Sequence, residues 1–261
     1  MVMLYILSGV FILLSVLALW SREGVFINND NPYIYPEKKN ALPEDMREYI
    51  KDIIKPRRRY GLYVYCTKRV IDIFLSFFGL VILSPLYLIL IFAVIIDDPG
   101  PVFFKQKRIG KGNTYFYLHK FRSMKISTPH DTPTHMLENP DQYITRVGKI
   151  LRKSSLDELP QIWDIFRGKM SVIGPRPALW NQADLIMERE KYGANDITPG
   201  LTGWAQINGR DELEIDVKAR LDGDYCEKVS FIFDCRCFIG TMFSVIRGDG
   251  VIEGGTGRNI W

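Results

Sequence analysis

Residues 70–96, VIDIFLSFFGLVILSPLYLILIFAVII, form a hydrophobic run interrupted at its midpoint by Ser84-Pro85. Cations flank it on both sides. KPRRRYGLYVYCTKR (Lys55 to Arg69) precedes it with six cations and no acids, and Lys105, Lys107, Arg108 and Lys111 follow. Basic residues beside a membrane segment tend to stay on the cytoplasmic face, so a straight span strands one of these clusters on the wrong side. A segment that enters, kinks and returns satisfies both. Proline removes a backbone donor and clashes with the preceding turn, and a serine hydroxyl satisfies a freed carbonyl inside lipid. The charges therefore favour a re-entrant helix over 68–96, kinked at Ser84 and Pro85, above the plainer alternative of a Pro-kinked spanning helix.

Working outward, the 261-residue chain is 47% hydrophobic, enough apolar material for one domain of catalytic size plus membrane segments. A net charge of +4 is mild, but its clustering beside the apolar run points to anionic lipid headgroups and not to nucleic acid. Cys66, Cys226, Cys235 and Cys237 show no C-x-x-C pair and no framework spacing, so they read as reduced structural thiols in a cytosol-facing domain. Residues 1–20 are apolar and about one bilayer long if helical. They lack a basic n-region and an A-x-A-like cleavage site, so a retained anchor is expected, its N-terminus outside and the rest inside. The resulting division is an N-terminal membrane anchor over 1–20, a connector with a basic collar over 21–67, the re-entrant helix over 68–96, and a cytosolic catalytic domain over 97–261.

Within the connector a short helix is expected over Pro43 to Ile54. After the turn cluster Asp97 to Pro101, VFFKQKRIGKGNTYFYLHKFRSM reads as two strands around a Gly-Lys-Gly-Asn turn. Residues 126–143 are polar and irregular. Helical spacing runs over Gln142 to Lys153 and over Leu156 to Phe166, and residues 177–180 lead into another helix through Lys191. Gly, Thr and Pro dominate 193–210. Val229 to Ile246 is the last long helix, read first as a buried core helix and second as one lying in the membrane interface. The fold class expected is α/β, mostly α, and membrane-associated, with a small β-hairpin and interface helices.

The densest polar cluster is LRKSSLDELPQ, residues 151–161. Asp157 and Glu158 fall at an expected helix start, where free N–H groups and the dipole favour negative charge, and Ser155-x-x-Glu158 fits a capping box. Acids in a first turn are ordinary, so the pair alone reads first as capping and only second as catalytic. Its surroundings add to it. Gly174-Pro175-Arg176-Pro177 holds one arginine between two rigid residues, and a guanidinium suits bidentate phosphate recognition. Lys120 and Arg122 share one face of an expected strand, and Arg152 sits just before the acids. Carboxylates in a cationic field suit a phosphorylated substrate and Mg²⁺, which prefers a few carboxylate oxygens plus phosphates. TPGLTGWAQINGR, residues 198–210, offers Gln206, Asn208 and Arg210 to a nucleotide, or is a packed structural loop. His119, His130 and His135 are scattered and read as structural or exposed.

In this order the segments resemble the bacterial sugar transferase family, the monotopic polyprenyl-phosphate phosphoglycosyl transferases. The motifs are Lys68-Arg69-Val70-Ile71-Asp72, the Ser84-Pro85 break, Gln106 to Gly110, Lys120 to Met124, Ser155 to Gln161, Gly168 to Pro177, and Pro199 to Arg210. The resemblance implies a re-entrant membrane helix in the bacterial inner membrane, its catalytic domain facing the cytoplasm. It implies that Asp157 attacks the β-phosphate of a UDP-sugar, that UMP leaves, and that polyprenyl phosphate takes the sugar phosphate from the aspartyl intermediate. Glu158 is implied as metal or acid–base support, Mg²⁺ as cofactor on Asp157 and Glu158, and Lys120, Arg122, Arg152 and Arg176 as phosphate binders. The product would open the assembly of an exopolysaccharide, capsule, O-antigen or glycoprotein glycan. A membrane glycosyltransferase releasing UDP and a non-catalytic lipid-binding scaffold are the rival readings, and a homodimer is compatible with all three. Where family members commonly carry Leu-Asp-x-Tyr-Tyr, this chain has Leu221-Asp222-Gly223-Asp224-Tyr225. Asp222 is thus a site residue or a plain salt-bridged acid.

Overall fold

The computed structural model describes residues 60–128, 140–209 and 213–247. The expected anchor over 1–20, the connector as far as residue 59 with its helix at 43–54, His130, His135 and Arg210 lie outside the described residues. Two compact units divide the chain. Ile73–Lys105 and His119–Phe166 belong to the first; residues 60–72, Gln106–Leu118 and 167–247 belong to the second.

The hydrophobic run is two helices, its residues up to Asp72 counted with the second unit and the rest with the first. A π-helical turn, Tyr63–Thr67, leads into α1 (Lys68–Ile82), and α2 follows (Ser84–Asp97). The break falls at Leu83, whose ψ of 0° leaves the helical region. Pro85 sits in the first turn of α2, where its missing N–H costs nothing. The Ser84 hydroxyl donates to the Val81 carbonyl at 2.8 Å, which is the compensation a proline-broken helix requires. Among the described residues no single helix is long and apolar enough to cross a membrane. Tyr63–Ile82 and Ser84–Asp97, bent by 62°, meet that test together by length and composition.

Tyr87, Leu90 and Val94 line one face of α2 at helical spacing and pack with Leu80, Phe103, Phe121 and Leu151. Phe121 stacks on Phe103 at 5.3 Å between ring centroids. The fully buried Tyr87 also donates its hydroxyl to the Leu159 carbonyl. The opposite faces of both helices are apolar and open: Phe74 is 61% exposed, Phe92 62% and Ile96 80%. At the end of α2, Asp97 accepts the Val147 N–H at 2.7 Å and Asp98 pairs with Arg122 at 2.9 Å. Asp97 thereby holds the first turn of α3 (Arg146–Lys153), which Thr145 caps through the Gly148 N–H at 2.8 Å.

β1 (Phe103–Ile109) and β2 (Tyr115–Phe121) form the expected hairpin, turning through Gly112 at φ 64° and Asn113 at φ 58°. Its open end is counted with the first unit and its turn with the second. The expected helix over 156–166 divides. Ser155 takes φ 55° and makes no side-chain cap, Leu156–Glu158 is a single 3₁₀ turn, and α4 begins only at Gln161–Phe166. Pro160 is the reason, because a continuous helix through it would forfeit the bond to the Leu156 carbonyl.

In the second unit β3 (Ser171–Ile173) and β4 (Gly200–Thr202) pair in parallel, Ser171 opposite Gly200 and Ile173 opposite Thr202. Between them lies α5 (Ala183–Glu190), the helix expected after residues 177–180; after them come α6 (Trp204–Ile207), α7 (Ile215–Lys228) and α8 (Phe231–Arg247). Three glycines let these segments interlock. A Cβ on Gly200 would fall 2.1 Å from the Gly174 nitrogen, and one on Gly203 would fall 2.2 Å from the Gly174 carbonyl oxygen. The first turn of α1 is tied into this unit. Lys68 ion-pairs with buried Asp234 of α8, which also accepts the Tyr63 and Tyr225 hydroxyls at 2.7 Å each. One turn on, Asp72 accepts the Val172 N–H at 2.9 Å.

α8 is not the fully buried core helix that its sequence first suggests. It buries Asp234 and Cys237, while Ile232 is 80% exposed and Ile239, Met242 and Phe243 are also exposed. All four cysteines are free, as expected, and burial pushes the Cys237 thiol up to about 12, which keeps it protonated and inert.

Candidate active site

Asp157 and Glu158 sit in the 3₁₀ turn between α3 and α4. A three-residue turn sums few peptide dipoles, so the charge that faces the acids is a side chain. Lys120, near the end of β2, reaches Glu158 at 2.8 Å and Asp157 at 3.8 Å. All three side chains are largely but not wholly buried, which leaves an edge of the cluster open to a substrate. The strand is fixed beside them by His119. Buried Asp164 of α4 accepts the His119 backbone N–H at 2.9 Å and lies 2.6 Å from its ring Nδ1, which makes this histidine structural, as expected.

The remaining expected phosphate binders are held differently. β2 ends at Phe121, so Arg122 leaves the strand face that Lys120 keeps and turns into Asp98. Arg152 on α3 donates from Nε to the Ser123 hydroxyl at 2.9 Å. Arg176 belongs to the second unit, where it is half-buried between Pro175 and Pro177. In the same unit, Gln206 is buried, with neither amide atom hydrogen-bonded among the described residues. Asn208 donates to the Trp204 carbonyl at 2.7 Å, closing the end of α6. Asp222 is wholly buried on α7 and paired with Arg189 at 2.5 Å. Burial pushes its acid up, and the neighbouring guanidinium opposes that shift. Sequence reasoning missed Arg189, which stands in an unremarkable helical stretch with no motif around it.

Among the described residues no three histidine, cysteine or acidic side chains gather as a metal cage. Two adjacent carboxylates whose polar neighbour is a lysine are the donor set of a different site. They suit a hard cation that takes one or two carboxylate oxygens and completes its shell with water and substrate phosphate. The residues therefore fit Mg²⁺ in that mode.

The profile of the bacterial sugar transferases matches residues 63–248. The UDP-glucose:undecaprenyl-phosphate glucose-1-phosphate transferase of Xanthomonas campestris pv. campestris is 39% identical over 192 residues, 70% of this chain and 40% of that protein. The uncharacterized sugar transferase EpsL of Bacillus subtilis (strain 168) is 36% identical over 185 residues, 70% of this chain and 89% of EpsL. The exopolysaccharide production protein PSS of Rhizobium leguminosarum bv. phaseoli is 36% identical over 194 residues, 70% and 97% of the two chains. This chain thus spans about two-fifths of the Xanthomonas relative and most of the two shorter ones. The matched segment holds the bent apolar helices, the Lys120–Asp157–Glu158 cluster and the interlocked glycine loops, and it places the chain in the bacterial sugar transferase family.

Proposed function

We propose that the protein is a phosphoglycosyl transferase that moves a sugar-1-phosphate from a UDP-sugar to polyprenyl phosphate and releases UMP. The observation that carries this reading is Lys120 set against both Asp157 and Glu158, in a chain similar to the Xanthomonas UDP-glucose:undecaprenyl-phosphate glucose-1-phosphate transferase. An Asp157 carboxylate oxygen attacks the β-phosphorus, and the bond from that phosphorus to the oxygen bridging to the α-phosphate breaks. UMP departs with the electron pair. A phosphate oxygen of the polyprenyl carrier then attacks the same phosphorus, and the aspartyl oxygen–phosphorus bond breaks to restore the carboxylate. Lys120 places positive charge beside the Asp157 carboxylate and beside the phosphate that Asp157 acquires. Glu158 anchors the lysine, and Arg152 supplies further cationic charge for the phosphates; Arg176, clamped between two prolines in the second unit, is assigned a phosphate-binding role on its own motif. Asp157 and Glu158 would hold Mg²⁺, which neutralises charge on the transferred group when bound.

The bent helices enter the cytoplasmic leaflet of a bacterial inner membrane and return, and α8 lies in its interface. The 62° break, the open apolar faces and the flanking cations support that placement. Pro85→Ala restores the missing N–H and is expected to straighten the pair toward a span. Cysteine-accessibility labelling of residues beyond 97 in intact cells should then change sides; unchanged labelling would remove the kink from the topology argument.

Purified protein given Mg²⁺, polyprenyl phosphate and a panel of UDP-sugars is expected to release UMP, and the productive donor names the sugar. EDTA should stop the reaction. UDP in place of UMP would mean transfer of the sugar alone and would overturn the Asp157 mechanism; full rates in EDTA would remove the metal.

A further inference from the structure

We infer that Arg189, held by Asp222, is a positioning residue for Arg176, an inference that rests on the phosphate-binding role proposed for Arg176. Neither side chain of the pair reaches solvent: Arg189 is 3% exposed and Asp222 0%. The Arg189 guanidinium donates from Nε and Nη2 to Asp222 Oδ2, at 2.8 and 2.5 Å, and from Nη1 to the Arg176 backbone carbonyl at 2.9 Å. One planar group therefore links α7 to the main chain of the residue whose own guanidinium is the proposed phosphate binder. Its planarity matters, because donors fixed in a fork transmit the orientation of the carboxylate to the carbonyl, which a flexible ammonium does not.

The loop around Arg176 is held carbonyl by carbonyl. The Pro175 carbonyl accepts the Gly200 N–H at 2.9 Å, the Arg176 carbonyl accepts Arg189 Nη1, and the Pro177 carbonyl accepts Arg108 Nη1 at 2.9 Å. Of these three donors only Arg189 acts on Arg176 itself, and its partner is a wholly buried acid. The geometry of that acid argues against a role in stability alone. Both bonds fall on Oδ2, and Oδ1 has no hydrogen-bond partner among the described residues. A buried ion pair left half-satisfied stabilises a fold poorly compared with apolar packing of the same volume. What this pair does supply is a fixed direction for one peptide group. Asp222, the acid retained from the family's Leu-Asp-x-Tyr-Tyr pattern, thus serves the site through Arg189 and not by touching substrate.

A double-variant cycle on the full-length protein tests this, reading donor kcat/KM as UMP release, the affinity for UDP alone, and Tm. Arg189→Lys is expected to lower kcat/KM on the order of tenfold to a hundredfold, as misplacement of a substrate-orienting group does. It should weaken UDP binding in parallel. With Arg176→Ala already present, adding Arg189→Lys should cost little more, because the group being positioned is gone. Losses that multiply would show that Arg189 acts independently of Arg176 and would overturn the inference. Should Arg189→Lys fail to fold, Asp222→Asn takes its place, keeping an acceptor for Arg189 but not its charge, and the same coupling is expected. An Arg176→Ala protein with undiminished turnover and UDP affinity would overturn the phosphate role of Arg176 and this inference with it. A crippled Arg176→Ala with multiplying losses removes the inference alone.

Discussion

Asp157→Asn is expected to lower UMP release by at least about 10³-fold while leaving the fold intact. The amide nearly matches the carboxylate in shape and is not nucleophilic, so the covalent step loses its attacking atom. Structure around it should persist, because Asp157 lies 3.8 Å from Lys120 whereas Glu158 retains the lysine at 2.8 Å. Circular dichroism and Tm close to those of the parent protein, with no label retained on the protein from a donor carrying ³²P at its β-phosphate, would complete the result. Substantial residual turnover would sink the nucleophile assignment. Glu158→Gln is the informative companion, since it removes the closer partner of Lys120 but leaves the attacking oxygen in place.

Gly200→Ala is expected to be the most damaging small substitution in the second unit. The added methyl group would lie 2.1 Å from the Gly174 nitrogen and 2.6 Å from its Cα and carbonyl oxygen. All three are backbone atoms, so no rotamer change relieves the overlap. Two main-chain bonds hold the contact closed, Gly174 N–H to the Thr202 carbonyl at 2.8 Å and Gly200 N–H to the Pro175 carbonyl at 2.9 Å. To admit the methyl, β3 and β4 must part and both bonds must stretch, at a cost of about 3 kcal/mol. Tm should fall sharply, and turnover should fall beyond what the loss of folded protein explains, because the Gly174-Pro175-Arg176-Pro177 loop moves with the strand. Gly61→Ala is the control: nothing lies within 4 Å of its Cβ position, and Tm should barely change. A Gly200→Ala protein as stable as the parent would show that the two loops are not locked as described.

The features legible in the sequence are those punctuated by Gly and Pro or paired by charge. Ser84-Pro85 announces the helix break, and Gly-Lys-Gly-Asn announces the hairpin. Thr145 is a cap that helical spacing alone does not reveal, so the helix expected from Gln142 begins instead at Arg146. The capping box at Ser155 misleads because a left-handed residue is invisible in a spacing rule; Pro160 holds the correct signal. β3 and β4 escape because three-residue strands carry no periodicity, and α7 because Asp216, Lys218, Arg220, Asp222 and Asp224 leave it without a clean apolar stripe. Of the expected site residues, Lys120 comes together with Asp157 and Glu158. Grouping Arg122 with Lys120 assumes that the strand continues past Phe121, and it does not.

The hydroxyl of Tyr87 links the second apolar helix to the carbonyl of Leu159, one residue beyond the acidic pair. Tyr87 is two residues past the proline and wholly enclosed, so the tie is short and stiff. Under the membrane placement proposed above for the bent helices, this tie acts as a height gauge. The altitude of the two carboxylates above the acyl chains is set by protein geometry and not by lipid, and thicker or thinner bilayers raise or lower helix and acids together. On that reading, a lipid carrier whose phosphate rides at the headgroup level would meet the carboxylates at one elevation in any membrane that seats the bent helices.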